Sequence, residues 1–170
     1  MIIRPERAGE FPVIRELVRS AFATARVADG NEHEFVDRLR AGENYIPELA
    51  LVMERDGGLI AHIMLTKFAI AAAGESHDAL LLAPVCVTID QRNKGVGARL
   101  IGEALDRGRK LGYGAVIVLG DPEYYSRFGF RPSVLLGVRN CDGIEDRYAM
   151  ALELVPGALD GVRGTITFPS

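Results

Sequence analysis

VTIDQRNKGVG, residues 87–97, lies between an apolar run at 80–87 and an amphipathic stretch that continues to about residue 111. That order predicts a strand, a loop and a helix. Gly95 and Gly97 lack a Cβ, so another group can come close to the main chain there. The loop ends at a helix mouth, where the first amides have no intrahelical partner and the helix dipole leaves partial positive charge. Such a place binds anions. Between residues 90 and 110, six basic side chains stand against three acidic ones, a local +3 in a chain whose net charge is −3. A small, highly charged anion suits that patch better than a nucleic-acid duplex.

Downstream, Val96, Leu100, Ile101, Leu105 and Leu111 form a helical stripe that Gly112-Tyr113-Gly114 ends. Residues 115–119 are all apolar, the mark of a strand covered on both faces. The strand-helix-strand crossover makes it parallel to a strand at 79–88. Asp121-Pro122 opens a short helix at 123–128 that Gly129 closes, with aspartate as cap and proline at a position where helices accept it. Residues 135–138 and 148–155 read as strands, and a glycine-rich tail ends in an apolar segment near 165–168.

Upstream, the apolar segments 49–54 and 59–72 flank Arg55-Asp56-Gly57-Gly58, a hairpin signal. A second turn at 74–78 leads into the strand at 79–88, and strands joined by short turns run antiparallel. A short strand at 1–4 is stopped by Pro5. Phe11, Ile14, Leu17, Val18 and Phe22 give an amphipathic helix over 8–22, with Pro12 in its first turn. Asp29-Gly30-Asn31 breaks the chain before a second helix at 32–40, ended by Gly42. The expected fold is α/β of mixed α+β character: one domain over 1–170, a central mixed, mostly antiparallel sheet flanked by helices, and a tail at 156–170 packed on it.

Composition agrees with a globular domain, at 48% apolar and 25% charged residues. No run approaches the roughly 20 apolar residues of a membrane span, and the N-terminal stretch carries charges where a signal peptide is apolar. A cytoplasmic protein without membrane or nucleic-acid partners is expected. Cys86 and Cys141 are expected as free thiols. His33, His62 and His77 stand far apart, so the sequence argues no metal site.

Spacing separates three glycine loops that precede helices. A P-loop needs Gly-Lys-Ser/Thr, but Lys94 precedes Gly95 and no hydroxyl follows. The dinucleotide fingerprint needs a third glycine where Leu100 stands. Arg/Gln-x-x-Gly-x-Gly/Ala is satisfied throughout by Arg92-Asn93-Lys94-Gly95-Val96-Gly97. With that motif, and Tyr124-Tyr125-Ser126-Arg127-Phe128-Gly129-Phe130 about thirty residues on, the chain resembles the GNAT superfamily of acyl-CoA-dependent N-acetyltransferases over roughly residues 1–155. The wording from Leu119 into this second motif looks like the YhbS-like bacterial subgroup. Two departures stand out: the strand exit reads Thr88-Ile89-Asp90 where many relatives have proline, and Asn93 replaces a glycine. Asparagine tolerates left-handed backbone better than most residues.

The resemblance implies acetyl-CoA or coenzyme A as co-substrate, its pyrophosphate on Arg92, Asn93, Lys94, Gly95, Val96, Gly97 and Ala98, and its pantetheine arm along Val85, Cys86 and Val87. It implies acetyl transfer to a primary amine of a small molecule or peptide within a ternary complex, and it suggests a homodimer. The alternative is a non-catalytic coenzyme A sensor. Backbone donors near Cys86 and Val87 suit the thioester oxygen, and Tyr125 is the candidate facing the leaving sulfur. Each has an ordinary reading: Tyr125 as a half-buried aromatic, Cys86 as a small strand residue, His62 and His77 as strand and turn residues. Tyr124 reads as packing. Glu32 and Glu34 stand on the acceptor side by resemblance, and read equally as solvated carboxylates. The acceptor pocket is expected from residues 26–34 and the C-terminal strands.

Overall fold

The computed structural model describes residues 1–25 and 30–169. Arg26 to Asp29, part of the expected acceptor loop and of the predicted chain break, lie outside the described residues. The chain forms two compact units, Met1–Thr66 with Ala83–Arg107, and Lys67–Leu82 with Gly108–Ser170.

The first unit holds β1 (Ile2–Pro5), β2 (Ala50–Arg55), the start of β3 (Gly58–Ala72) and the end of β4 (Glu75–Val87). β1 and β2 pair antiparallel with Ile3 opposite Met53, and β2 and β3 with Val52 opposite His62. The β2–β3 turn puts Asp56 and Gly57 at φ of 51° and 79°, the left-handed pair whose twist matches that of the flanking strands. Two helices cover one face, α1 (Phe11–Phe22) and α2 (Glu32–Ala41). Ile14, Leu17, Val18 and Val36 pack there on Ala50, Val52, Met64 and Cys86. α3 (Val96–Lys110) starts in this unit.

The predicted turn at 74–78 is tighter than expected. Ala73 and Gly74 make it alone, both at positive φ, so the polar residues 75–78 are carried as mostly exposed strand. Leu111 also departs from its expected place: α3 ends at Lys110, and Leu111 is 47% exposed. Val96, Leu100, Ile101, Ala104 and Gly108 are the buried residues of that helix.

The second unit contains β5 (Ala115–Leu119), α4 (Pro122–Tyr125), β6 (Arg131–Pro132), β7 (Val138–Asn140), β8 (Ala149–Glu153) and β9 (Gly164–Ile166). β5 runs parallel to β4, with Leu80 opposite Val116, and antiparallel to β8. β9 pairs with β3 at Ala71 and runs parallel to β7. Among the described residues the sheet order is β1-β2-β3-β4-β5-β8-β6, with β9 joining β3 to β7, so the sheet is mixed and mostly antiparallel. The strand expected at 135–138 is a 3-10 turn, Ser133–Leu136, followed by left-handed Gly137. The turn leaves Leu135 62% exposed, and pairing begins only at Val138. Hydrophobicity without alternation did not distinguish the two outcomes.

Candidate active site

β4 carries the residues expected along the pantetheine arm, Val85, Cys86 and Val87. It pairs with β5 at Leu80 and Leu81, and with no β5 residue beyond them among the described residues. Its other edge faces β3, where Thr88 N–H donates to Ile60 O at 2.9 Å. Main-chain groups alternate sides along a strand, so Val87 and Val85 turn theirs away from β3 while Cys86 turns toward it. Of the two expected oxyanion donors, alternation therefore leaves Val87 free of the β3 ladder. Val85 and Val87 are half-buried and Cys86 is buried. Burial pushes the Cys86 thiol up to about 12, which leaves almost no thiolate near neutral pH and makes Cys86 a poor nucleophile.

The loop that follows is built from two left-handed residues. Asn93 has φ 60° and Gly95 has φ 78°, so asparagine takes the backbone that its residue type permits. Asn93, Lys94 and Gly95 are exposed, and a Cβ at Gly95 would meet nothing within 4 Å. Arg99 N–H donates to Gly95 O at 3.1 Å and closes the first turn of α3. The amides of Val96, Gly97 and Ala98 therefore precede the helical ladder. No acidic residue stands in that turn, which leaves the positive end of the dipole without a local carboxylate.

Arg92 does something its place in the motif did not reveal. Its guanidinium donates to Ala21 O at 2.5 Å and to Thr24 Oγ1 at 3.0 Å, satisfying the C-terminal end of α1. Its main chain stays in the loop, and the exposed cation there is Lys94.

Tyr125 ends α4 in the second unit. Asp121 caps this helix, its Oδ1 accepting from Glu123 N–H at 3.0 Å. Tyr125 N–H donates to Asp121 O at 3.0 Å. The Tyr125 ring is 9% exposed and meets Tyr124 and Phe130 edge-on, with centroids 5.1 and 5.6 Å away. Burial, then Tyr124 and Asp121, push its phenol well above the ordinary tyrosine value. Tyr124 packs on Tyr125 and Phe128 under the Arg127 guanidinium.

A buried polar cluster in the first unit escaped sequence reading. Glu6, with a side chain 0% exposed, accepts from Arg40 Nε at 2.8 Å, Arg40 Nη2 at 2.9 Å and Tyr45 Oη at 2.8 Å. It also meets His62 Nε2 at 2.9 Å. An ionised carboxylate only accepts, so Nε2 carries the shared proton; Nδ1 is buried with no partner among the described residues. Burial alone would raise the Glu6 carboxyl, but Arg40 and His62 hold it down to about 2. Burial and Glu6 raise the Tyr45 phenol. The local sequence around Glu6, Arg-Pro-Glu-Arg, looks like surface, and only the meeting of four chain segments makes it core.

Glu34 is exposed and Glu32 half-buried on α2, and His77 is half-buried in β4. Cys86 and Cys141 are both free. No cluster of potential metal ligands occurs among the described residues. A groove of about 540 Å³ beside α1 is lined by Val13, Leu17, Leu59 and Ile89. The one carboxylate lining it, Glu16, pairs with Arg19, so the groove offers little for acid-base work. No helix among the described residues is long and apolar enough to cross a membrane.

The sequence profile of the family described as "Acetyltransferase (GNAT) domain" matches residues 2–133. Escherichia coli YhbS, an uncharacterized N-acetyltransferase, is 32% identical over 170 residues, covering 99% of this chain and 96% of YhbS. Escherichia coli YjhQ is 34% identical over 119 residues; the match covers 70% of this chain and 63% of YjhQ. The crystal structure of YhbS in complex with CoA superposes with TM-score 0.85 at 29% identity, over 99% of this chain and 89% of that one. A Brucella melitensis GNAT acetyltransferase in complex with acetyl-CoA gives 0.79 at 29% identity, over 99% and 96%.

Proposed function

Since this chain belongs to the GNAT acetyltransferase family, and so to the enzymes that take acetyl from acetyl-CoA, we propose that it acetylates a primary amine of a small molecule or peptide in the bacterial cytoplasm. The observation that carries the reading is the exposed left-handed loop ending in ladder-free amides, directly after a strand whose second edge lacks a partner. A diphosphate would accept from the amides of Val96, Gly97 and Ala98, with Asn93, Gly95 and Lys94 around it. The pantetheine amides would pair with Val85 and Val87 as an added strand does. Arg92 supports the loop by bracing it to α1.

The amine must arrive unprotonated, since its lone pair attacks the thioester carbon. The resulting oxyanion is stabilised by fixed main-chain donors such as Val87 N–H. Collapse breaks the carbon–sulfur bond and releases thiolate; the nitrogen gives up a proton to water, water returns one to the sulfur, and the products are an amide and coenzyme A thiol. Tyr125 faces the leaving sulfur in this scheme. A phenol held above its ordinary value is a poor proton donor to a thiolate near ~8.5, the value of a free thiol. Its contribution is a hydrogen bond that strengthens as negative charge gathers on sulfur.

Two results test this. Acetyl-CoA at about 100 times its dissociation constant should stabilise the protein by about 2.7 kcal/mol in thermal melts, and NAD at the same concentration should not. Thiol release from acetyl-CoA across a panel of primary amines should then show turnover; binding with no release above the water rate would indicate a coenzyme A sensor. Tyr125→Phe should lower kcat by about 10²-fold while coenzyme A affinity holds. Because the phenol is raised, wild-type kcat should show no alkaline limb from Tyr125 below about pH 10.

A further inference from the structure

Gly120 closes β5, and the reason it must be glycine lies five residues away. Its φ is outside the left-handed region, and its N–H makes an ordinary bond to Tyr148 O at 3.0 Å. The main chain would therefore accept alanine. Space would not: a Cβ at Gly120 would stand 2.3 Å from Cε2, 2.8 Å from Cδ2 and 3.4 Å from Cζ of Tyr125. The ring has little room to yield, because Phe130 and Tyr124 meet it edge-on at 5.6 and 5.1 Å and its own N–H is tied to Asp121 O. Asp121 is in turn the cap of α4, so ring and cap are set by consecutive residues.

We infer that Gly120 is a positioning residue for the reaction: its missing Cβ is the seat of the Tyr125 ring and fixes where the phenol oxygen stands. This rests on the proposed role of Tyr125 at the leaving sulfur. Restoring ordinary contact with a Cβ requires the ring to move on the order of 1 Å, a displacement that can cost about 10²-fold in rate when it moves a catalytic group.

Four proteins decide the matter: wild type, G120A, Y125F and G120A/Y125F. The readout is thiol release from saturating acetyl-CoA, with n-butylamine and with water alone as acceptor. G120A should lower kcat about 10- to 100-fold while KM for acetyl-CoA changes less than about threefold. In the Y125F background the same change should cost less than about threefold, because the oxygen it would misplace is already gone. An equal loss in both backgrounds would overturn the inference, as would wild-type kcat in G120A beside a slow Y125F. Wild-type kcat in Y125F would instead remove Tyr125 from the reaction, and the inference with it. Melting temperatures guard against a folding defect. G120A should lower the melting temperature with either aromatic ring present and leave it unchanged in Y125A, where the Cβ has space; a loss that persists without the ring counts against the seat.

Discussion

Replacing Glu6 with glutamine should be the most destabilising conservative change in the first unit, costing about 3–5 kcal/mol. The amide keeps the shape but removes the charge that Arg40, whose side chain is 9% exposed, needs beside it. Arg40 Nη1 keeps Asp37 Oδ1 at 3.2 Å, but that carboxylate is 39% exposed, and the buried Nε and Nη2 lose their charged partner; a buried cation stripped of its main partner costs more than the net worth of the pair. The double variant E6Q/R40M should recover part of the loss, since it leaves no charge to bury. Urea titrations measure both, and a single variant within ~0.5 kcal/mol of wild type would show that the cluster is not holding α2 to the strands. Acid should act on the same group. Its folded value of about 2 lies below the ordinary 4.5, so its stabilisation is complete above about pH 4.5 and is lost as pH falls from there toward 2. Wild type should therefore lose stability across that window more steeply than E6Q, which has no carboxyl to protonate.

Ala98→Glu should separate binding from stability by sign. A carboxylate in the first turn of α3 favours the helix dipole by about 0.3–1 kcal/mol, so the free protein should be as stable as wild type or more so. The same charge stands among the amides proposed to hold the diphosphate, and coenzyme A affinity should fall at least ~10-fold, more at low salt. Ala98→Lys reverses the signs, with a slightly weaker helix and affinity undiminished. Calorimetry with coenzyme A reads the affinity directly. Unchanged affinity in A98E would move the diphosphate elsewhere.

Local chemistry was legible where a residue's own backbone or spacing decided the outcome. Asn93 and Gly95 were readable as a loop that can turn left-handed, and both do. Asp121-Pro122 announced α4, and the five apolar residues of β5 announced a strand covered on both faces. Errors arose where several local outcomes cost nearly the same. Residues 135–138 could be strand or turn on hydrophobicity alone, and the left-handed Gly137 decided it.

Most strands and helices, the left-handed loop before α3 and the family motifs were legible in the sequence, because each depends on neighbours within a few residues. Glu6 as a buried anion, Arg92 as the brace of α1 and Gly120 as the seat of a ring were decided only by tertiary structure. Glu6 meets His62 across 56 positions of chain, and Arg92 meets Ala21 across 71. Charge and shape take their value from what folding brings beside them, and no local pattern records that company.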